Sequence, residues 1–312
     1  MARCFVFPGQ GSQSVGMGRA LAEAFPAARE VFEEVDDALQ RRLTRIMWEG
    51  PAEDLNLTVN TQPALMAHSM AMVRVLEREA KVDFADVRFF AGHSLGEYSA
   101  LCAARAIGLS EAARLLNTRG QAMQAAVPAG EGAMAALLGL DIAAAEKAIA
   151  ETEAVAGVCE IANDNAPGQV VISGARARVE AAAEAAKKHG AKMAKLLPVS
   201  APFHCSMMAP AAATMADALS KAAIAAPAAP IVANVTARPV ESASEIRALL
   251  VKQVTGRVRW TESVDYMARE GGDVFIEVGS GKVLAGLIKR IAKDARIMSL
   301  GEPADIDAFL KA

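Results

Sequence analysis

A serine between two glycines is the strongest chemical signal in the sequence. Residues 92–96 read Gly-His-Ser-Leu-Gly, which matches the GxSxG pattern of a serine nucleophile on a sharp turn between a strand and a helix. Its surroundings fit that turn, because an apolar strand pattern occupies 87–91 and a helical pattern occupies about 95–107. The start of that helix would direct backbone N–H groups and a positive dipole end toward the reacting atoms. We therefore predict that Ser94 is a nucleophile; the alternative is a serine that caps a helix after a glycine-rich turn.

A serine nucleophile needs a base, and the sequence contains four histidines. His93 directly precedes the serine, so its side chain should point away from it. His68 lies within an apolar helix pattern and His189 lies near a helix C-terminus, where structural roles are favoured. His204 follows a strand pattern on a proline-containing loop, where a base for a serine at a strand end should lie. His204 is therefore the predicted base.

An arginine lies on the apolar face of a predicted helix that starts at Ser110. One stripe at helical spacing reads Ala, Leu, Leu, Arg, Ala, Met and Ala, at positions 112, 115, 116, 119, 122, 123 and 126. Arg119 could extend to the surface along its aliphatic stem, or pair with a structural carboxylate. It could also hold a ligand carboxylate, because a guanidinium is always charged and binds carboxylates through two parallel hydrogen bonds. The residue pattern leaves both interpretations open.

The elements that must position these residues alternate between strands and helices. The strand patterns cover 3–7, 87–91, 231–235 and 274–278, and the helical patterns cover about 17–25, 27–43, 62–79, 95–107, 244–252 and 282–292. Such alternation is typical of an α/β fold with a parallel sheet. In such sheets, functional sites lie at the carboxyl ends of the strands.

A different order of elements occupies 128–198. Strand patterns cover 133–140, 157–162, 169–173 and 192–197, and helical patterns cover 143–151 and 175–188. The resulting order β-α-β-β-α-β is that of a ferredoxin-like unit. We therefore predict a catalytic α/β subdomain formed by 1–127 together with 199–312, and an inserted ferredoxin-like subdomain at 128–198.

Composition and charge exclude several other classes of protein. The 312 residues are 53% apolar and carry a net charge of −3, which excludes intrinsic disorder. The 33 basic and 36 acidic residues are nearly balanced, and no basic run is longer than two residues. The sequence therefore does not indicate nucleic-acid binding. The longest uncharged apolar stretch, 222–233, is too short to span a bilayer, and the first residues reach Pro8 before any signal-peptide region could develop. The four cysteines lack metal-ligand spacing, so we expect a cytoplasmic protein with reduced thiols.

Two glycine-rich segments resemble phosphate-binding loops without completing their patterns. Residues 279–283, Gly-Ser-Gly-Lys-Val, lack the upstream glycine of a P-loop and the Ser or Thr after its lysine. Residues 9–11, Gly-Gln-Gly, do not complete GxGxxG. The backbone amides of this second segment could still line an anion site, as an oxyanion hole requires.

Seven motifs occur together in the order of one family. They are FPGQGSQ at 7–13, GHSLGEYSAL at 92–101, NTRGQAMQ around Arg119, PAGEGAM at 128–134, NAPGQVVISG at 165–174, SAPFH at 200–204 and KQVTGRVRW at 252–260. Over nearly its whole length the chain resembles the malonyl-CoA:acyl-carrier-protein transacylases of type II fatty acid synthesis. The resemblance implies a hydrolase-like α/β core with an inserted ferredoxin-like subdomain, in agreement with the two subdomains predicted above.

The resemblance also implies catalytic roles for individual residues. Ser94 would be the nucleophile and His204 its base, without an acidic third member, and the main-chain carbonyl of Gln253 would orient the histidine. The backbone N–H groups of Gln10 and Leu95 would hold the thioester oxyanion.

Substrate and partners follow from the same resemblance. Arg119 would bind the malonyl carboxylate, and Phe203 would favour malonyl over methylmalonyl. The reaction would be a ping-pong transfer from malonyl-CoA, through a malonyl-serine, to the phosphopantetheine thiol of acyl carrier protein. It would need no metal or redox cofactor, since the coenzyme A thioester is a substrate. The carrier would act in trans, because the sequence contains no Asp-Ser-Leu attachment site.

Three alternatives remain at this point. A serine carboxylesterase or thioesterase would use the same serine turn, although its pocket would not require Arg119. A discrete malonyl transferase of a polyketide pathway would use every predicted residue. A non-catalytic docking subunit is disfavoured because Ser94, His204 and Arg119 are all intact.

Overall fold

The computed structural model describes residues 2–311, apart from the side chain of residue 85, and it has an α/β architecture with two sheets. The strands are β1 (Arg3–Phe7), β2 (Phe89–Gly92), β3 (Gly132–Leu138), β4 (Cys159–Ala166), β5 (Gln169–Ala175), β6 (Met193–Leu196), β7 (Ile231–Ala233), β8 (Arg238–Val240), β9 (Val258–Arg259), β10 (Val274–Val278) and β11 (Arg296–Leu300). The helices are α1 (Arg19–Ala24), α2 (Pro26–Leu39), α3 (Leu43–Glu49), α4 (Ala52–Asn56), α5 (Thr58–Arg78), α6 (Gly96–Ala103), α7 (Leu109–Ala125), α8 (Ile142–Ala150), α9 (Arg176–Lys188), α10 (Ala209–Lys221), α11 (Ala243–Thr255), α12 (Trp260–Arg269), α13 (Val283–Ile291) and α14 (Pro303–Leu310).

The first sheet places several chain segments at one edge. Its strand order is β11-β10-β1-β2-β7-β8, and every pairing is parallel except that of β7 with β8. Strands β1, β2 and β10 are apolar and almost fully buried, as a parallel sheet covered on both faces requires. Because the strands run in the same direction, the residues that follow β1, β2, β7 and β10 all emerge at the carboxyl edge.

The second sheet has the predicted ferredoxin-like order. Strands β6, β3, β5 and β4 are neighbours in that sequence and pair antiparallel, with α8 and α9 packed on one face. A fifth strand, β9, joins the edge by pairing parallel with β4, although it lies outside 128–198. The α/β fold class is therefore confirmed, while the subdomain boundaries stay a prediction.

Strand β4 is longer than the sequence pattern indicated. It extends to Ala166, four residues beyond the end of the strand pattern predicted at 157–162, with irregular register against β5. Sequence analysis did not predict this extension, because residues 163–165 are the polar run Asn-Asp-Asn and apolar alternation is the main strand signal in a sequence. As a result, Asn163 and Asn165 of β4 lie at the edge of the sheet that faces the catalytic α/β subdomain.

Helices α5 and α7 approach each other closely at one glycine. A Cβ atom on Gly120 would lie 2.6 Å from Cα of Val59 and 2.8 Å from the carbonyl oxygen of Thr58, so no larger residue fits there. Outside this contact, the guanidinium of Arg41 donates to the carbonyl oxygen of Val59 and to Oδ1 of Asn117. Gly120 thus allows Arg119, the residue before it in α7, to lie next to the first turn of α5.

Within residues 2–311, no helix is both long and apolar enough to cross a membrane.

Candidate active site

The serine of the GxSxG pattern occupies a strained turn at the end of β2. Ser94 has a φ of 52°, in the left-handed region that most residues avoid. The turn is possible because Gly92 and Gly96 lie in direct backbone contact, and because Gly96 packs against the carbonyl oxygen of Phe7 without room for a side chain. Helix α6 begins directly afterwards, so its N-terminus faces the serine. This geometry is that of a nucleophile elbow.

The structure brings His204 to the serine from the loop after β6. Nε2 of His204 lies 2.8 Å from Oγ of Ser94, while Nδ1 lies 2.9 Å from the carbonyl oxygen of Gln253 and 3.1 Å from that of Gly256. Because carbonyl oxygens only accept hydrogen bonds, Nδ1 must carry the proton, and Nε2 is then free to accept the serine proton. Among residues 2–311, no carboxylate forms a hydrogen bond with this histidine.

Arg119 lies beside this pair and is 1% exposed, so the surface interpretation from the sequence is wrong. Its Nη1 donates to Oε1 of Gln62 at 2.7 Å, and its Nη2 donates to Oε1 of Gln253 at 2.9 Å and to Oγ of Ser94 at 3.2 Å. Its Nε is buried and has no partner among the described residues. A guanidinium has five N–H groups, so part of its donor capacity remains for a ligand next to the nucleophile.

Burial and positive charge keep the histidine neutral. Desolvation, and after it the nearby guanidinium of Arg119, together lower the pKa of His204 to about 3. Burial also lowers the pKa of Arg119 itself, although an arginine remains protonated in a protein. The site therefore combines an uncharged base with a fixed cation.

One carboxyl group, that of Glu97, and the side-chain amides of Asn234 and Gln253 support the serine turn, and the sequence analysis gave none of these side chains a role. The side chain of Asn234, just after β7, accepts from the N–H of Ser94 at 2.8 Å and donates to the carbonyl oxygen of Gly92 at 2.7 Å. Oε2 of Glu97 accepts from the N–H of Asn234 at 2.9 Å and from Nε2 of Gln253 at 3.0 Å. Burial raises the pKa of Glu97 to about 7.

Gln253 acts through its side chain as well as through its main chain. Oε1 accepts from Arg119, and Nε2 donates to the carbonyl oxygen of Ser94 at 2.9 Å and to Glu97. The sequence analysis gave only the main-chain carbonyl a role. A glutamine in an apolar helix pattern carries no signal for such a network, because its partners come from distant segments.

Two residues on different loops line the cavity of the serine and carry backbone N–H groups without a hydrogen-bond partner among the described residues. Gln10 follows β1 and Leu95 follows the serine, and both residues line the cavity that contains Ser94. Within residues 2–311, neither N–H group has a hydrogen-bond partner. Both residues therefore bring an unpaired backbone donor to the wall of this cavity, and their role as an oxyanion hole stays a prediction.

The cavity has a volume of about 160 Å³ and lies between the two sheets. Phe203 contributes to its apolar wall and is 7% exposed. Its full lining consists of Gln10, Thr58, Gln62, His93, Ser94, Leu95, Arg119, Met123, Met134, Asn163, Asn165, Val171, Leu197, Val199, Phe203 and His204. A larger cavity of about 340 Å³ lies among α1, α2 and α3 and contains none of the predicted site residues.

The other three histidines have structural partners. His93 turns away from the serine, and its Nε2 lies 2.8 Å from Oδ1 of Asn165 in β4, across the cleft. His68 is buried with Nε2 near the carbonyl oxygen of Gly301, and His189 contacts Glu151 at the surface.

The incomplete phosphate motif after β10 has a structural explanation. The buried carboxylate of Glu277 accepts from the N–H groups of Leu284 and Ala285, at the start of α13. A carboxyl group of the chain itself thus occupies the helix N-terminus where a phosphate would bind. In the same loop, Oγ of Ser280 donates to the carbonyl oxygen of Ser12 at 2.7 Å, which ties the loop to the segment that carries Gln10.

A serine on a strand-to-helix turn of a parallel sheet, paired with a neutral histidine, defines the class of α/β enzymes that form an acyl-serine. Comparison with known proteins identifies the family: the acyl transferase domain matches residues 4–302, and the chain belongs to this family.

Individual relatives agree over nearly the full length. The chain is 47% identical to the malonyl CoA-acyl carrier protein transacylase of Escherichia coli K12, with 98% of each protein covered. It is 52% identical to the acyl-carrier-protein S-malonyltransferase of Bartonella henselae, whose crystal structure superposes with a TM-score of 0.97 over 100% of this chain and 99% of that one. A malonyl-transacylase solved in complex with its type II polyketide acyl-carrier protein is 42% identical, with a TM-score of 0.96 over 100% and 99% of the two chains.

Proposed function

We propose that this chain transfers a malonyl group from malonyl-CoA to the phosphopantetheine thiol of an acyl carrier protein, through a malonyl ester of Ser94. The observation that carries the proposal is the buried guanidinium of Arg119, 3.2 Å from Oγ of Ser94. An acyl group on that oxygen would have its far end beside a fixed positive charge. Malonyl supplies the matching carboxylate, whereas acetyl does not.

In the first half of the reaction, Ser94 attacks the thioester carbonyl while His204 takes the hydroxyl proton. The N–H groups of Gln10 and Leu95 stabilise the oxyanion of the tetrahedral intermediate. When the intermediate collapses, the carbon–sulfur bond breaks and His204 returns the proton to the sulfur of coenzyme A. The carbonyl oxygen of Gln253 keeps the proton on Nδ1 throughout, so the base always faces the serine.

In the second half, the carrier thiol attacks the malonyl-serine. His204 takes the thiol proton and returns it to Oγ of Ser94 as the ester breaks, which restores the free enzyme. Arg119 holds the carboxylate in both halves, and Phe203 narrows the pocket next to the carbon between the two carbonyl groups. The chemistry requires neither a metal nor a redox cofactor, and coenzyme A enters as part of the substrate.

The predicted subdomain division fits this role. The catalytic subdomain, 1–127 with 199–312, contributes the nucleophile, base and oxyanion donors, and the inserted subdomain, 128–198, contributes Met134, Asn163 and Val171 to the opposite wall of the cavity. The carrier is a separate protein, and the proposed location is the cytoplasm. A carrier of fatty acid synthesis is proposed; a polyketide carrier is the second candidate, since one structural relative was solved with such a partner.

The decisive experiment mixes the protein with malonyl-CoA, stops the reaction with acid and maps the acyl adduct by mass spectrometry. We expect a malonyl group on the peptide that contains Ser94, and its loss when carrier protein with a free phosphopantetheine thiol is added. Transfer to the thiol distinguishes the proposal from an esterase or thioesterase, which would release free malonate instead. An adduct elsewhere, or none, contradicts the proposal.

The pH dependence of acylation tests the state of His204. Because its pKa is held at about 3 rather than 6.5, the histidine remains an uncharged base well below neutral pH. Protonation would remove the base, so the rate should be lost only as the pH falls toward 3. We therefore expect the acylation rate with malonyl-CoA to show no titration centred near pH 6.5 in rapid-quench measurements.

Glu97 requires a control in this experiment, because its pKa of about 7 lies inside the measured range. The variant Glu97→Gln removes that titration and keeps the size of the side chain. A step near pH 7 that disappears in the variant belongs to Glu97. A step near pH 6.5 that persists in the variant contradicts a neutral His204.

A further inference from the structure

Four side chains form a continuous row of hydrogen bonds that begins at the guanidinium of Arg119 and ends at Gln10, on the loop after β1. Nη1 of Arg119 donates to Oε1 of Gln62 at 2.7 Å, and Nε2 of Gln62 lies 2.9 Å from Oγ1 of Thr58. Oγ1 of Thr58 in turn lies 2.9 Å from Oε1 of Gln10. We call these four residues the relay.

The direction of every hydrogen bond in the relay follows from its first member. Arginine only donates, so the amide oxygen of Gln62 must face Arg119 and its nitrogen must face Thr58. The hydroxyl of Thr58 accepts from that nitrogen, and its own proton is left to point at Oε1 of Gln10. The positive charge therefore fixes the orientation of a side chain on a different loop.

The relay is shielded from water over most of its length. Thr58 is 0% exposed, Gln62 2% and Arg119 1%. The second N–H of Gln62 faces only Sδ of Met123 at 3.8 Å, which is a weak acceptor. Without the Thr58 hydroxyl, the amide of Gln62 would lose its main acceptor and keep only the weak one at Met123.

We propose that Thr58 is a positioning residue that sets the distance between the carboxylate-binding Arg119 and the oxyanion donor of Gln10, and thereby favours malonyl. The proposal rests on the proposed function. Malonyl must satisfy two points at once, with its carboxylate on Arg119 and its thioester oxygen on the N–H of Gln10. Acetyl uses only the second point. A fixed span between the two points therefore helps malonyl more than acetyl.

The variant Thr58→Val tests this role, because it removes the hydroxyl and keeps the shape of the side chain. We expect the single-turnover acylation rate with malonyl-CoA to fall about 10-fold. The rate with acetyl-CoA should change less than about 2-fold, so that the malonyl-to-acetyl ratio falls. Thr58→Ser restores the hydroxyl and should restore the ratio.

The matched control is Thr61→Val, in the next turn of α5. Thr61 is equally buried, but its hydroxyl bonds only to the carbonyl oxygens of Leu55 and Leu57, away from the relay. This variant should lower the melting temperature and leave the ratio unchanged. Equal losses for both acyl groups in Thr58→Val, or no change in either, would overturn the proposal.

A second variant tests the other end of the relay and does not depend on a buried position. Gln10→Met removes the Oε1 acceptor and leaves the backbone N–H, on a residue that is partly exposed. It should lower the ratio as Thr58→Val does, and an unchanged ratio contradicts the relay.

The effect of Thr58→Val should also vanish in an Arg119→Ala background, because the relay then has no charge at its head. A persistent effect assigns Thr58 a purely structural role.

The two proposals fail in different ways. Absence of a malonyl-Ser94 adduct in the wild-type protein removes the proposed function, whereas a normal adduct with an unchanged ratio in Thr58→Val removes only the relay.

Discussion

Replacing Ser94 with alanine is expected to abolish the malonyl-enzyme and to lower the transfer rate on the order of 10⁶-fold, the scale seen when a serine protease loses its nucleophile. Apart from Ser94, the described cavity lining contains one hydroxyl, that of Thr58, and it donates to Oε1 of Gln10. Arg119 and its partners remain in the variant, so binding of malonyl-CoA should persist. Intact-protein mass spectrometry and a titration of malonyl-CoA binding measure the two quantities separately.

Ser99→Ala is the matched control for this variant. Ser99 lies on α6, the helix that follows the serine turn, and is 0% exposed, but its hydroxyl is outside the cavity and has no partner among the described residues. It should retain full acylation. A malonyl adduct that survives in Ser94→Ala would move the nucleophile to another residue.

The serine turn could be predicted because its signal is local. A strand, a glycine-rich turn and a helix follow one another within 87–107, and steric contacts of Gly92 and Gly96 explain why glycines are required at both positions. The fold class followed in the same way, from strands and helices that alternate along the sequence. The ferredoxin-like order was also visible, because its six elements are consecutive.

The network around the serine could not be predicted, because its members are polar side chains from separate segments. Gln62 and Asn234 are joined to the site only by folding, and nothing in their sequence neighbours indicates their partners. One signal was available. Asn234 lies near the end of the predicted strand 231–235 of the parallel sheet, close to the edge where functional residues lie, and that position could have identified it.

Arg119 shows how structure resolves an ambiguity that the sequence left open. A lone arginine on an apolar stripe is compatible with a surface position or with a buried site. The close contact at Gly120 decides between them, since it brings α7 against the first turn of α5 and leaves the guanidinium no path to solvent. Hydrogen bonds to Gln62 and Gln253 then hold the guanidinium of Arg119 in place, so that its charge stays near the nucleophile.

Replacing Arg119 with alanine should lower kcat/KM for malonyl-CoA by the ~3–5 kcal/mol typical of a buried charge pair that loses one partner, which corresponds to about 10²–10⁴-fold. For acetyl-CoA the change should be far smaller, because acetyl offers no carboxylate to the guanidinium. Some loss of kcat/KM is expected for acetyl-CoA as well, because the buried Oε1 atoms of Gln62 and Gln253 each lose the hydrogen bond that Arg119 donates. Arg119→Lys should recover malonyl transfer only in part, because an ammonium group cannot donate to both glutamines and a carboxylate with the same planar geometry.

Arg41→Ala separates this effect from a general weakening of the α5–α7 contact. Arg41 joins the same two helices through Asn60 and Asn117 but lies outside the cavity. Its loss should lower the melting temperature and leave the ratio of malonyl to acetyl transfer unchanged. The ratio is the informative quantity, because a disturbed helix contact would slow both acyl groups together. Equal losses of malonyl and acetyl transfer in Arg119→Ala would make Arg119 a structural residue, and selection for malonyl would then need another source of positive charge.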